Sequence, residues 1–265
     1  MIEIPFTKLH GAENDFLLTW ETEAPDVNLP EIARRICARN TGIGADGWML
    51  VARKSAGLRT RLFNSDGSEP EMSGNGTRCA AAFGLIHHAV TPPEIRIQTA
   101  AGAKTLRTVL RSGGCFVFEM DMGLPRTEEL HAQLHAAGRA FDATLLNVGN
   151  PQCAIFVDPL PADWRSIAAE IERHPRFPNR ANVSFVRPIG CHALDVVFFE
   201  RGAGETKSSG TGSTAAAAAA ILRGAAESPI EIQTPAGILR FRWDESMFLT
   251  GPAQLIGEGK FFLDL

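Results

Sequence analysis

One feature constrains this chain more than any other: a serine-headed glycine turn that occurs twice. Ser73 opens Ser-Gly-Asn-Gly-Thr-Arg-Cys-Ala-Ala-Ala, and Ser209 opens Ser-Gly-Thr-Gly-Ser-Thr-Ala-Ala-Ala-Ala. The serines stand 136 positions apart in 265 residues, and each turn runs into alanine-rich, helix-forming sequence. The same offset relates Phe63-Asn64 to Phe199-Glu200, Asn14 to Asn150, and Asp46 to Asn182. At an offset of 135, Ile97-Gln-Thr-Ala-Ala-Gly102 meets Ile232-Gln-Thr-Pro-Ala-Gly237. Matches in register and in order imply two halves of one fold, and the period is far too long for a solenoid. We expect two similar domains facing each other, with a site between them.

The length allows two domains that each bury a core. A hydrophobic content of 45% and a charged content of 21% are ordinary for a globular protein. The net charge of −4 gives no electrostatic case for nucleic acid or membrane as a partner. Residues 1–10 lack the apolar core of a signal peptide, and the small-apolar run 215–222 is too short to span a bilayer. The cysteines at 37, 79, 115, 153 and 191 have no metal-type spacing, which points to reduced thiols in a cytoplasmic protein.

Strand-like segments are expected at 2–9, 16–19, 48–52, 59–63, 94–99, 104–110 and 115–121. In the second half they fall at 145–148, 154–157, 183–188, 193–200, 230–233, 238–243 and 246–250. Helices are expected at 29–40, 76–89, 161–174 and 212–224, with a crossover at 123–126. Each half reads as many strands around one principal helix, an α+β arrangement. A final strand at 260–265 has no counterpart before the midpoint and is expected to return to the first domain. The domains are then 1–118 with 256–265, and 119–255.

A serine before a helix is first an N-cap. Two such turns at equivalent places also suit an anion, because helix N-termini carry unpaired N–H groups and partial positive charge. They would hold a carboxylate and stabilise charge appearing on it during proton abstraction at the neighbouring carbon. A nucleotide-binding reading of Gly210-Thr-Gly-Ser-Thr-Ala215 lacks the preceding apolar strand that such a turn requires. His131 and His135 have the i, i+4 spacing of metal ligands on a helix, but no third ligand is near, and a solvated helical face is the better reading. His87 and His88 are expected at the exposed end of the first central helix, and His10 near the site.

In order, the chain carries His10-Gly-Ala-Glu-Asn-Asp-Phe16, Phe63-Asn-Ser-Asp-Gly-Ser68, Ser73-Gly-Asn-Gly-Thr-Arg-Cys79, Gly149-Asn-Pro-Gln-Cys153, Arg180-Ala-Asn182 and Glu200-Arg-Gly-Ala-Gly-Glu-Thr206. With these motifs it resembles the diaminopimelate epimerase family over nearly its whole length. The resemblance implies two pseudo-symmetric, β-rich, barrel-like domains, each around a central helix. It implies an epimerase without cofactor or metal that acts at the α-carbon of an amino acid with two carboxylates, in lysine and cell-wall synthesis. A homodimer is left open. By the same resemblance Asn14, Asn64, Asn150 and Asn182 bind polar groups of the substrate. Arg201 holds the distal carboxylate, a group its forked guanidinium suits. Glu200 contacts an amino group and assists at the site. Gly74, Asn75, Gly210 and Thr211 present N–H groups to the α-carboxylate.

The family pattern places cysteines where this chain has Ser73 and Ser209, one thiolate taking the α-proton and the other thiol returning one to the opposite face. A thiol with an ordinary pKa of about 8.5 ionises near neutrality, the more so at a helix N-terminus. A serine hydroxyl is a far weaker acid and needs a neighbouring base. Gln152 stands where the family pattern has histidine, and glutamine carries no titrating proton. Glu13 stands where it has glycine; it is either a solvated loop charge or a substitute base whose pKa burial would raise. Three readings follow. The serines are deliberate replacements of cysteine; or the chain has diverged to an isomerase, tautomerase or lyase using Glu13, Glu200 or a histidine; or it binds an amino acid without turning it over.

Overall fold

The computed structural model describes residues 1–263. The chain separates into two compact units, Met1–Met120 together with the stretch from Gly251 on, and Asp121–Thr250. In order, the first half forms β1 (Ile2–Gly11), β2 (Asn14–Trp20), α1 (Leu29–Cys37), β3 (Gly47–Lys54), β4 (Gly57–Asn64), α2 (Gly74–Ile86), β5 (Glu94–Thr99), β6 (Gly102–Ser112) and β7 (Cys115–Gly123). The second continues with β8 (Arg126–Ala136), β9 (Arg139–Asn147), β10 (Pro151–Phe156), α3 (Trp164–Glu172), β11 (Asn182–Gly190), β12 (Ala193–Glu200), β13 (Gly204–Thr206), α4 (Gly210–Leu222), β14 (Ile230–Thr234) and β15 (Gly237–Trp243). β16 (Met247–Leu263) closes the described chain.

The pairing pattern repeats. In the first unit the strands run in order from β1 to β7, and β16 neighbours both β1 and β7. The pairs β2–β3 and β4–β5 are parallel, and β1–β2 and β3–β4 are antiparallel. In the second unit the order is β8-β9-β10-β11-β12-β14-β15-β16, with β13 folded back on β12. Here β10–β11 and β12–β14 are parallel, and β9–β10 and β11–β12 antiparallel. Each parallel pair needs a crossover, and a helix supplies every one. α1 and α3 serve the first parallel pair of their unit, α2 and α4 the second.

The two kinds of helix differ in what they bury. α1 is amphipathic: Ile32, Ala33 and Ile36 pack on Ile4, Leu17, Trp48 and Phe63. α3 repeats this with Trp164, Ile167, Ala168 and Ile171 on Val183 and Phe185. α2 and α4 instead are buried around almost their whole circumference. α2 lies against β1 to β5, and α4 against β9 to β12, β14 and β15. Their alanine runs, Ala80–Ala82 and Ala215–Ala220, keep each helix thin enough to be enclosed. A Cβ on Gly84 would sit 2.7 Å from Leu58 Cδ1 and 2.9 Å from Val90 Cγ2, so any larger residue there would have to displace these side chains.

The expected fold class holds, and several boundaries are corrected. The helices expected at 76–89 and 212–224 begin earlier, at Gly74 and Gly210, because the serines are the capping residues. Residues 131 and 135 lie on a strand, not a helix: β8 alternates from His131 to Ala136, with both histidines on its exposed face. β9 extends well before the strand expected at 145–148. The separate strands expected at 246–250 and 260–265 are parts of β16, which runs antiparallel to β1; residues 264 and 265 lie outside the described residues. Among the described residues no helix is long and apolar enough to cross a membrane.

Candidate active site at the starts of the central helices

Each central helix starts in the same way. Ser73 has extended backbone (φ −122°, ψ 124°) and its Oγ accepts from the N–H of Gly76 at 3.1 Å. Ser209 (φ −135°, ψ 122°) accepts from Gly212 N–H, also at 3.1 Å. A Cβ on Gly76 would meet Met49 at 2.8 Å, and one on Gly212 would meet Phe198 at 2.8 Å. At Gly212 a Cβ would press on the Phe198 ring, so glycine is favoured there; at Gly76 the contact is with the flexible end of Met49, which would have to move aside. Each hydroxyl spends a lone pair on the helix and keeps its proton to donate. Among the described residues no carboxylate, imidazole or amine is hydrogen-bonded to either hydroxyl. Among the described residues, then, neither serine is hydrogen-bonded to the base that would make it a nucleophile or a proton acceptor.

The asparagines expected at the site lie at or next to strand ends, and Asn14 and Asn150 contact residues of the two helix starts. Asn14 opens β2 and Asn64 ends β4; β3 lies between these strands, and Asn64 pairs with its first residue, Gly47. Asn14 and Asn75 meet directly, Asn75 Nδ2 donating to Asn14 Oδ1 at 3.4 Å. In the second unit Asn150 Nδ2 donates to Thr211 Oγ1, likewise at 3.4 Å, so the repeat extends to side-chain contacts. Gln152, buried beside them, donates from Nε2 to Asn150 Oδ1 at 2.6 Å. Asn182 opens β11; its Oδ1 accepts from the N–H of Arg201 at 3.0 Å, joining two of the sequence motifs. Glu200 ends β12 and accepts from Thr206 Oγ1 at 2.7 Å. Asn64 donates to Ser68 Oγ at 2.9 Å.

Glu13 is a correction. It is exposed, so the burial that would raise its pKa is absent. Its backbone is left-handed (φ 59°), as is that of Ala12 (φ 50°). The equivalent residue of the other unit is Gly149 (φ 108°). The N–H of Glu13 donates to His10 Nδ1 at 3.3 Å, which ties Glu13 and His10 to the turn between β1 and β2.

The chain's relatives settle its family. The family model for diaminopimelate epimerase matches residues 6–127 and 144–256. The diaminopimelate epimerase of Moorella thermoacetica is 38% identical, over 98% of this chain and 99% of its own. That of a Cyanothece species is 39% identical, over 97% of this chain and 99% of its own. This chain belongs to the diaminopimelate epimerase family. Solved structures agree on the fold of this diaminopimelate epimerase family member. A hydroxyproline epimerase from Agrobacterium vitis superposes with a TM-score of 0.76 at 17% identity, covering 100% of this chain and 94% of its own. A predicted epimerase from Pseudomonas aeruginosa gives a TM-score of 0.74 at 17% identity, over 98% of this chain and 100% of its own.

The sequence assigned no role to four residues, Arg39, Asp46, Arg78 and Glu172, that hold the diaminopimelate epimerase family motifs in place. Asp46 Oδ2 accepts from Asn14 Nδ2 at 2.6 Å, and Arg39 bridges Asp46 and Asp15 at 2.7 and 3.0 Å. Arg78, wholly buried inside α2, donates to Asn75 Oδ1 and, from Nε, to the carbonyl of Pro252 at 3.0 Å. Burial lowers its pKa to about 10, so it stays a cation at neutral pH. In the second unit the buried carboxylate of Glu172 accepts from Arg180 Nη1 at 3.4 Å and from Gly202 N–H at 3.2 Å. It ties the loop before Asn182 to the loop after Arg201. Asp46 left a trace in the sequence as the repeat partner of Asn182, and Arg78 stands inside the Ser73–Cys79 motif; Arg39 and Glu172 left none.

Proposed function

We propose that this chain binds diaminopimelate and acts on its α-carbon without a cofactor, in the manner of the L,L- to meso-epimerases it is related to, with proton transfer slowed at Ser73 and Ser209. One observation supports this: Asn14 and Asn150 contact the two serine-capped helix starts, while among the described residues neither serine hydroxyl is hydrogen-bonded to a base. On this reading Gly74, Asn75, Gly210 and Thr211 offer N–H groups to the α-carboxylate, where the helix field stabilises charge as the C–H bond breaks. Asn14, Asn64, Asn150, Asn182, Glu200 and Arg201 hold the remaining polar groups. The α-proton leaves as a proton, the electron pair spreads into the carboxylate, and a proton returns to the opposite face. Serine serves both transfers poorly, because its alkoxide is out of reach at neutral pH. The domains we propose are 1–118 with 256–265, and 119–255, in a cytoplasmic protein.

The test is proton NMR of L,L-diaminopimelate in D2O, following loss of the α-proton signal. The wild-type chain is expected to bind the ligand and exchange it slowly. The Ser73→Cys/Ser209→Cys variant is expected to exchange it about 100-fold faster or more, the scale of general acid–base catalysis. The environment of the hydroxyls favours a second reading, a binding protein without turnover. Binding with no exchange above the protein-free control would establish that reading. Absence of both binding and exchange would remove diaminopimelate as the ligand.

A further inference from the structure

The side-chain amides of Asn14 and Asn75 face each other, and an amide pair has two self-consistent orientations, because its oxygen and nitrogen are alike in shape. Charged groups at both ends select one of them. Arg78 can only donate, and it points an N–H at Asn75 Oδ1. The Asp46 carboxylate can only accept, and it takes an N–H from Asn14 at 2.6 Å. Asn75 is thereby left with Nδ2 toward Asn14, and Asn14 with Oδ1 toward Asn75. Reversing the pair would set guanidinium N–H against amide N–H at one end and carboxylate against carbonyl oxygen at the other. Arg39 fixes the acidic end in turn, donating to Asp46 Oδ1 at 2.7 Å.

Stability alone gives no reason for this arrangement. Arg78 is fully buried, and its Nη1 has no hydrogen-bond partner among the described residues. A buried guanidinium with an unpaired N–H is costly to a fold. The second unit shows that the fold does not need it. There the equivalent contact, Asn150 to Thr211, has the same 3.4 Å separation. Thr214 stands at the place of Arg78, donating to Gly210 O at 2.8 Å. Asn182 stands at the place of Asp46, donating to Pro151 O at 3.1 Å. Both ends are neutral, and the helix start is built all the same.

We propose that Arg78 and Asp46 are positioning residues that lock the hydrogen-bond polarity of Asn14 and Asn75, so that the first unit presents one fixed set of donors and acceptors to its ligand. This rests on the function proposed above for the ligand part, since that is where Asn14 and Asn75 acquire a binding role. The lock itself is readable without ligand.

The experiment uses the full ¹⁵N-labelled chain and follows hydrogen exchange of the Asn14 and Asn75 side-chain amides, assigned by their loss in Asn14→Ala and Asn75→Ala. Diaminopimelate binding is measured in parallel by calorimetry. Arg78→Met and Asp46→Asn are expected to quicken amide exchange, and to weaken binding, each about tenfold or more, the scale of a lost charge-assisted hydrogen bond. Arg78→Lys keeps a cationic donor and is expected to stay near wild type in both. Unchanged amide exchange in folded Arg78→Met and Asp46→Asn overturns the proposal, and so does wild-type affinity in those variants. If Arg78→Met does not fold, Asp46→Asn decides alone. A wild-type chain that ignores diaminopimelate while its amides respond as expected upholds the lock and refutes the ligand.

Discussion

Glu13 sits in a left-handed conformation (φ 59°) that an L-residue with a side chain adopts at a cost. Its repeat partner Gly149 occupies the positive-φ region freely. The carboxylate is exposed, so no burial offsets the strain. Glu13→Gly is therefore expected to leave stability unchanged or raise it by up to about 1 kcal/mol, read from urea unfolding, where an ordinary exposed Glu→Gly change would lower it. At this scale the sequence was a fair guide to which residues matter and a poor one to what holds them. The asparagines and Arg201 stood in recognisable motifs. Asp46 lies 32 positions from Asn14, and no spacing rule joins them. The parallel pairing of β2 with β3, through the α1 crossover, brings them together.

At the scale of elements, the two capping serines make a clean comparison. Replacing Ser209 by alanine removes an acceptor for the Gly212 N–H and is expected to cost about 1 kcal/mol; glycine in its place costs only a few tenths. Denaturant melts of the two variants check the difference, and equal losses would mean that the hydroxyl contributes through packing instead. The join between β2 and β3 carries the pH dependence. Burial works to raise the pKa of Asp15, but hydrogen bonds and charge from Arg39 and Lys8 prevail and lower it below the ordinary 3.8. Its contribution to stability is complete above that value and is lost as pH falls through the lowered one. Asp15→Asn is expected to flatten the acid limb of a stability-versus-pH curve below pH about 4. Elements were legible where glycine and alanine wrote them. The strand β8 was not. Its glutamates, leucines, alanines and glutamine favour a helix in isolation, and pairing with β9 overrides that preference. His131 and His135 fall on one face of a strand as readily as on one face of a helix, so their spacing could not decide between the two.

At the scale of the whole molecule, the five cysteines divide by place in the fold. Cys37, Cys79 and Cys153 are buried among apolar groups, which raises each thiol to about 12. Cys115 and Cys191 are exposed. A thiol reagent at pH 8 is expected to label two sites at once and the other three only on unfolding; rapid labelling of a third would show that a core is open in solution. The duplication itself was legible because the two halves share turn chemistry at a constant offset. The length of β16 was hidden by the glycines at 251, 257 and 259, which read as breaks and are strand residues. That strand has a consequence for biosynthesis. The first unit takes its remaining strand from beyond the second unit, where residues 254–263 pair with β1. A ribosome releases the amino-terminal half early, yet β1 keeps an unpaired edge until the whole second unit and residues 254–263 after it have been made. The half that is made first is the half that is finished last.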